Sequence, residues 1–161
     1  MRLIEIFTTG GTIDKVYFDA LSEYQIGPTA ITDMLAENNV FVPHSVTQLM
    51  RKDSLEITDH DRAAIHAAVA ASTSAQILVT HGTDTMVQTG RVLSDIAGKT
   101  IVLTGAMQPA TLRASDAPFN VGFALAAVQC LSPGVYIAMN GQIFDPATTK
   151  KDRAAGRFIA Q

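Results

Sequence analysis

The residues of this 161-residue chain that could do chemistry stand in short runs of hydroxyls and glycines. Two are prominent, Thr8-Thr9-Gly10-Gly11-Thr12 and Thr80-His81-Gly82-Thr83-Asp84-Thr85, and a third, Thr104-Gly105-Ala106, follows. No serine sits in a G-x-S-x-G elbow, and the single cysteine, Cys130, lacks a local catalytic signature, so a threonine hydroxyl is the available nucleophile. A threonine hydroxyl is weakly nucleophilic and needs an adjacent base or activating partner. Tyr24, Asp84 and the pair Lys150-Lys151 are the candidates. Gly10 and Gly11 permit positive φ and let a ligand approach the backbone, although a tight turn would use them equally well. Neither G-x-G-x-x-G spacing nor a phosphate-binding G-x-x-x-x-G-K-[ST] accompanies them. Thr83 or Asp84 would also suit the cap of a helix starting near Thr85. His81 on its own reads as a hydrogen-bonded structural histidine. The four histidines, His44, His60, His66 and His81, show no metal-ligand spacing, so no metal is expected.

Short apolar runs alternate with helical patterns around these segments. Leu3–Thr8, Val40–Val42, Ile77–Thr80, Thr100–Thr104 and Val135–Met139 read as strands, and Val46–Met50 as an additional short one. Thr29–Glu37, Thr58–Ala71, Thr85–Ile96 and Pro118–Gln129 read as helices. Thr58 caps the second, with Asp61 in its first turn and Ile57 before it; Gly98 follows the third, and Pro118 suits the first turn of the fourth. This order predicts an α/β fold with an open, largely parallel sheet covered by helices on both faces. In such sheets ligands bind outside the carboxyl ends of the strands, which is where the three runs fall.

The bulk composition narrows the class. With 161 residues, 47% of them hydrophobic, the chain can build one full core. A net charge of −3 gives no basic footprint for nucleic acid. The apolar runs are far shorter than the roughly 20 residues that cross a bilayer, and Glu5 interrupts any signal-like segment. One cysteine excludes an intrachain disulfide and fits a reducing, cytoplasmic compartment; Cys130 reads as a small buried hydrophobe near a helix end.

Thr9-Gly10-Gly11-Thr12-Ile13 and His81-Gly82-Thr83-Asp84-Thr85 resemble, in order and separation, the two signatures of the bacterial-type L-asparaginase family. Tyr24-Gln25-Ile26-Gly27, Asp53-Ser54, Thr104-Gly105-Ala106-Met107, Asp116-Ala117-Pro118-Phe119-Asn120 and Met139-Asn140 leading into Thr149-Lys150-Lys151 extend the likeness over nearly the whole chain. The resemblance is to the family's N-terminal catalytic domain and implies a flavodoxin-like sheet. It implies that Thr12 is the nucleophile, with Tyr24 beside it on a mobile loop. Thr83, Asp84 and Lys151 resemble the second catalytic group, Lys151 being preferred over Lys150 because its spacing from Asn140 and Asp145 needs no gap. Ser54, with Asp53, Gly11 and Gly82 around it, resembles the substrate-binding segment; Ser54 would hold the α-carboxylate and Asp84 the α-ammonium.

Two departures from the family pattern stand out. The chain ends soon after Lys151, so residues 1–161 are expected to form a single domain without the smaller C-terminal one. An acidic residue that a neighbouring subunit supplies in the family then has no source, and Glu23 and Asp14 are the nearby carboxylates that could replace it. Leu55 stands where many members have glutamine. The expected protein is a homo-oligomeric, cofactor-free amidohydrolase converting L-asparagine to L-aspartate and ammonia. A glutaminase or other amidase, and a catalytically silent amino-acid-binding module, are the alternatives.

Overall fold

A computed structural model describes residues 2–161. β1 (Ile4–Gly10) leads into a hairpin, β2 (Lys15–Phe18) and β3 (Glu23–Ile26), then α1 (Ile31–Glu37) and β4 (His44–Lys52). The alternation continues through α2 (Asp59–Ala71), β5 (Gln76–Thr80), α3 (Met86–Val92), β6 (Thr100–Thr104), α4 (Ala117–Cys130) and β7 (Gly134–Met139). β8 (Gln142–Phe144) returns antiparallel to β7, and β9 (Thr149–Asp152) pairs with β10 (Arg157–Ala160) in a second hairpin. The main sheet runs β4-β1-β5-β6-β7-β8, with the first five strands parallel. That is the doubly wound, flavodoxin-like order, and its direction reverses at β1 and β5.

Alternation along the strands divides the core between two helix layers. Ile4, Ile6, Leu78, Val102 and Ala138 face α1 and α4, meeting Ile31, Leu35, Val121, Ala124 and Val128. Phe7, Ile77, Val79, Ile101, Leu103 and Ile137 face α2 and α3, meeting Ile65, Val69, Met86 and Leu93. Central strands buried on both faces read as continuous apolar runs, which is why β5 and β6 stand out in the sequence. α2 begins on a complete capping box, with the Thr58 hydroxyl accepting from the Asp61 amide and the Asp61 carboxylate accepting from the Thr58 amide.

Several expectations need correction. Val40–Val42 is loop, and the strand next to β1 is β4, which absorbs the short strand expected at Val46–Met50. Pro43 interposes a residue without an N–H, and its carbonyl accepts from Ile4, so pairing begins only there. α3 ends at Val92 and tightens into a 3-10 turn over Leu93–Asp95, leaving Gly98 in a later turn at φ +76°. Neither Thr83 nor Asp84 caps α3; Thr85 holds the cap position, and its hydroxyl donates to the Ser54 carbonyl instead. Cys130 is exposed at the end of α4.

Candidate active site

The carboxyl ends of β1 and β5 meet at the switch point, and glycine lets their loops touch. Gly11 adopts φ +85°, and a Cβ there would lie 2.5 Å from the Gly82 backbone. A Cβ on Gly82 would in turn lie 2.5 Å from the Ser54 side chain. The three loops carrying Thr12, Thr83 and Ser54 are therefore stacked at backbone contact, which any side chain at either glycine would prevent. Further bonds hold the stack. Thr9 Oγ1 donates to the Thr80 carbonyl at 2.9 Å, and the Gly11 amide to the Lys52 carbonyl at 2.9 Å. The β1–β4 register shifts between Thr8 and Gly10, which brings Lys52 level with Gly10 and delivers Asp53-Ser54 to the loops. Lys52 is also held to Asp61 at the start of α2.

The second cluster is assembled from distant segments. Lys151 Nζ on β9 donates to Thr83 Oγ1 at 2.6 Å and to Asp84 Oδ1 at 2.7 Å. Arg153 Nε lies 3.5 Å from the same carboxylate oxygen. The adjacent Lys150 is exposed. Met107 Sδ stands 3.9 Å from Thr83 Oγ1. The ammonium thus sits between a hydroxyl and a carboxylate, an arrangement that can polarise the hydroxyl or exchange a proton with it.

Thr12 is half-buried at the head of a 3-10 turn, Thr12–Asp14, that follows Gly11 directly. Tyr24 lies on β3, 47% exposed, its ring meeting Tyr17 edge-on at 5.5 Å between centroids. It lines a concavity of about 380 Å³ with Lys15, Arg51, Asp53 and Glu56. On the other side Asp84 and Lys151 line a concavity of about 270 Å³ with Arg91, Lys150 and Arg153. A third, about 320 Å³ between α1 and the start of α4, contains none of these groups. Ser54 is buried beneath Gly82. The Asp53 carboxylate is engaged, capping the turn over Ser54–Glu56 through the Leu55 amide and pairing with Lys15 at 3.2 Å. Burial alone would raise it, but the Leu55 amide and the Lys15 ammonium outweigh that and hold it below the usual carboxylate range.

The two carboxylates considered as substitutes do other work. Glu23 is exposed and accepts from Gln25. Asp14 is 2% exposed and turned inward, accepting from the Ala30 amide at 2.8 Å. His81 is fully buried, with Nδ1 2.7 Å from the Gly82 carbonyl and Nε2 2.8 Å from Thr89 Oγ1. The carbonyl can only accept, so Nδ1 carries the proton and the Thr89 hydroxyl donates to Nε2. Burial in this neutral form presses its pKa down to about 4. A polar network ties together segments that the resemblance had named one by one. Asp116 accepts from the Met107 and Gln108 amides and from Asn120 Nδ2, while Asn120 Oδ1 accepts from the Asn140 amide. Asp116, Asn120 and Asn140 all lie in segments that carry the family resemblance; what the sequence left unread is that they bond to one another.

Fold and site together define a class: a doubly wound α/β domain whose switch point carries a glycine-separated threonine and a threonine–lysine–carboxylate cluster. Residues 3–158 match the family model described as Asparaginase, N-terminal, and the chain belongs to that family. It is 34% identical to an L-asparaginase of Thermococcus kodakarensis over 97% of this chain and 49% of that protein. It is 31% identical to L-asparaginase 2-3 of Saccharomyces cerevisiae over 94% of this chain and 45% of that one. The solved structure of the thermostable L-asparaginase from Thermococcus kodakarensis superposes with a TM-score of 0.84 at 27% identity, covering 98% of this chain and 51% of that one. The chain spans about half the length of the relatives it matches.

Proposed function

We propose that this domain hydrolyses the side-chain amide of L-asparagine, with Thr12 as nucleophile. The observation that carries the proposal is Lys151, which bridges Thr83 and Asp84 at the switch point where Gly11 places Thr12. The Thr12 oxygen attacks the amide carbon, its proton passes to the leaving nitrogen, and ammonia departs to leave an ester on Thr12. Water then adds to that ester; its proton returns to Thr12 Oγ, and L-aspartate is released. Tyr24 assists the first proton transfer when its hairpin closes over the substrate. Thr83, with Lys151 and Asp84, polarises the attacking group, and backbone amides beside Gly11 and Gly82 receive the developing oxyanion. The Ser54 hydroxyl takes the α-carboxylate, Asp84 the α-ammonium, and Asp53 acts through the turn that it caps. No cofactor or metal enters this scheme. We place the protein in the cytoplasm, on its lone cysteine, and propose a homo-oligomer, most simply a two-fold dimer, the commonest closed arrangement among soluble oligomers.

One observation favours a broader substrate range. Leu55 is 64% exposed beside Ser54 and offers no hydrogen bond to a substrate. A site that leaves this position apolar separates amides differing by one methylene only by about 1–3 kcal/mol, which admits glutamine. Ammonia release from L-asparagine, L-glutamine and succinamate tests the whole reading. Asparagine should be fastest and succinamate, which lacks the α-ammonium, slow; equal rates for all three would overturn the assigned contacts. Release from none of them by the wild-type chain would overturn the hydrolase reading.

A further inference from the structure

Asp14 is buried, and the proposed reaction does not use it. Each of its polar groups is spent on a different part of the same excursion. Its amide donates to the Gly11 carbonyl at 3.1 Å, in the turn that presents Thr12. Its own carbonyl accepts from the Gly27 amide at 2.8 Å, where the β2–β3 hairpin returns to the body of the domain. Its carboxylate accepts from the Ala30 amide at 2.8 Å, at the start of α1. The outward part of that hairpin has little else to hold it, since Tyr17, Phe18, Leu21 and Tyr24 are all exposed. Further ties lie at its base or just outside it, among them Lys15 to Asp53, the Thr111 hydroxyl to the Lys15 carbonyl, the Ala110 amide to the Ile13 carbonyl and the Thr29 amide to Gln48.

We infer that Asp14 is a clasp, closing both ends of the hairpin against the Thr12 turn and so acting as a positioning residue for Tyr24. The clasp itself stands on the hydrogen bonds; the positioning role rests on the function proposed above. A carboxylate is suited to the task because one side chain reaches a backbone donor some sixteen residues away while its own peptide group binds the hairpin's last residue. An aliphatic residue at this place would keep the peptide bonds and lose the tie to Ala30. Arg51 on β4 is the charged group that acts on Asp14, and the Thr29 hydroxyl is its other polar neighbour.

Hydrogen exchange on the full chain tests the clasp, and kinetics test the positioning. In the wild-type protein the Gly27 and Ala30 amides should exchange at least ~10-fold more slowly than the Phe18 amide; equal rates would overturn the clasp without any variant being made. Asp14→Ala should speed exchange across residues 15–27 by at least ~10-fold and leave β5 unchanged, whereas Asp14→Asn, whose amide oxygen can still accept from Ala30, should show no such increase. Unchanged exchange in Asp14→Ala overturns the clasp. If Asp14 acts through Tyr24, Asp14→Ala should lower kcat about tenfold in the wild-type background but less than about threefold in a Tyr24→Phe background, with Asp14→Asn restoring kcat. Equal losses in both backgrounds mean a purely structural residue and overturn the positioning role. A wild-type chain that releases no ammonia overturns that role together with the reaction, while the exchange result still decides the clasp.

Discussion

Replacing Asp14 by asparagine should make the protein more stable at neutral pH, although it removes a charge that accepts a well-formed hydrogen bond. Burial of this carboxyl, 2% exposed, raises its pKa from 3.8 to about 6, despite the opposing effects of the Ala30 amide, the Thr29 hydroxyl and Arg51. The folded chain therefore holds the proton more tightly than the unfolded chain between those values. Its contribution is full below pH 3.8 and is lost as pH rises through about 6, so ionised Asp14 weighs against folding at pH 7.5. A displacement of this size corresponds to about 3 kcal/mol at most. Asparagine keeps an acceptor for Ala30 and can offer its amide group to the Thr29 hydroxyl, so about 1–3 kcal/mol should be regained. For a chain of this length each kcal/mol moves Tm by about 2–4 °C. Urea unfolding of both proteins at half-unit steps from pH 4 to 7.5 gives the difference directly, because titrations common to both, His81 included, cancel. The difference should be small near pH 4 and grow to about 1–3 kcal/mol in favour of the variant by pH 7.5. A difference that stays flat across this range, or a variant less stable at pH 7.5, would refute the claim that the ionised carboxylate is held at a cost.

The other expectations concern the site. Lys151→Met should lower kcat by at least ~10²-fold with little loss of stability, while the exposed Lys150→Met stays within about twofold; the reverse result would assign the role to the wrong lysine. Thr12→Ala should reduce ammonia release by at least ~10³-fold with an unchanged circular dichroism spectrum, and acid-quenched wild-type protein should carry any acyl adduct on the peptide containing Thr12. His81, held neutral by burial with a pKa of about 4, should show ring proton resonances that do not titrate between pH 8 and 5.5; a midpoint near 6.5 would contradict its placement. Because the unfolded histidine has the higher value, its contribution to stability is present above pH 6.5 and is lost as pH falls toward 4.

What could be read from the sequence follows from how each element is buried. β5 and β6 are covered on both faces, so their residues form unbroken apolar runs that announce a strand. β4 stands at the sheet edge and reads His-Ser-Val-Thr-Gln-Leu-Met-Arg-Lys; none of its residues is fully buried, and the denser Val40–Val42 run drew the assignment away. Those valines still pack on the core, but from a loop. The two hairpins were missed for a different reason. β2, β3, β9 and β10 have four residues each, too few for a periodicity to show, and Ser22 takes the left-handed turn position at φ 51° without a glycine to mark it.

The same distinction separates the legible from the illegible parts of the site. Gly11-Thr12 and Gly82-Thr83-Asp84 could be found because a parallel sheet places its strand ends together, and composition at strand ends is visible in one dimension. Lys151 could not be found that way. It reaches Asp84, 67 positions away in the chain, only because β9 folds back as a hairpin against α3; composition offered the pair Lys150-Lys151, and the family resemblance chose between them. Asp14 shows the opposite error. Adjacency to Thr12 made it a candidate substitute for the missing acid, yet at the end of the 3-10 turn over Thr12–Asp14 its side chain is buried and bonded to the Ala30 amide at the start of α1. Neighbours in sequence diverge in a tight turn, whereas residues far apart converge where strands end. For a switch-point site, distance from a strand's carboxyl end is therefore not enough: Asp14 lies four residues beyond β1 and Asp84 four beyond β5, yet the tight turn sends the Asp14 carboxylate to the Ala30 amide while Asp84 meets Lys151.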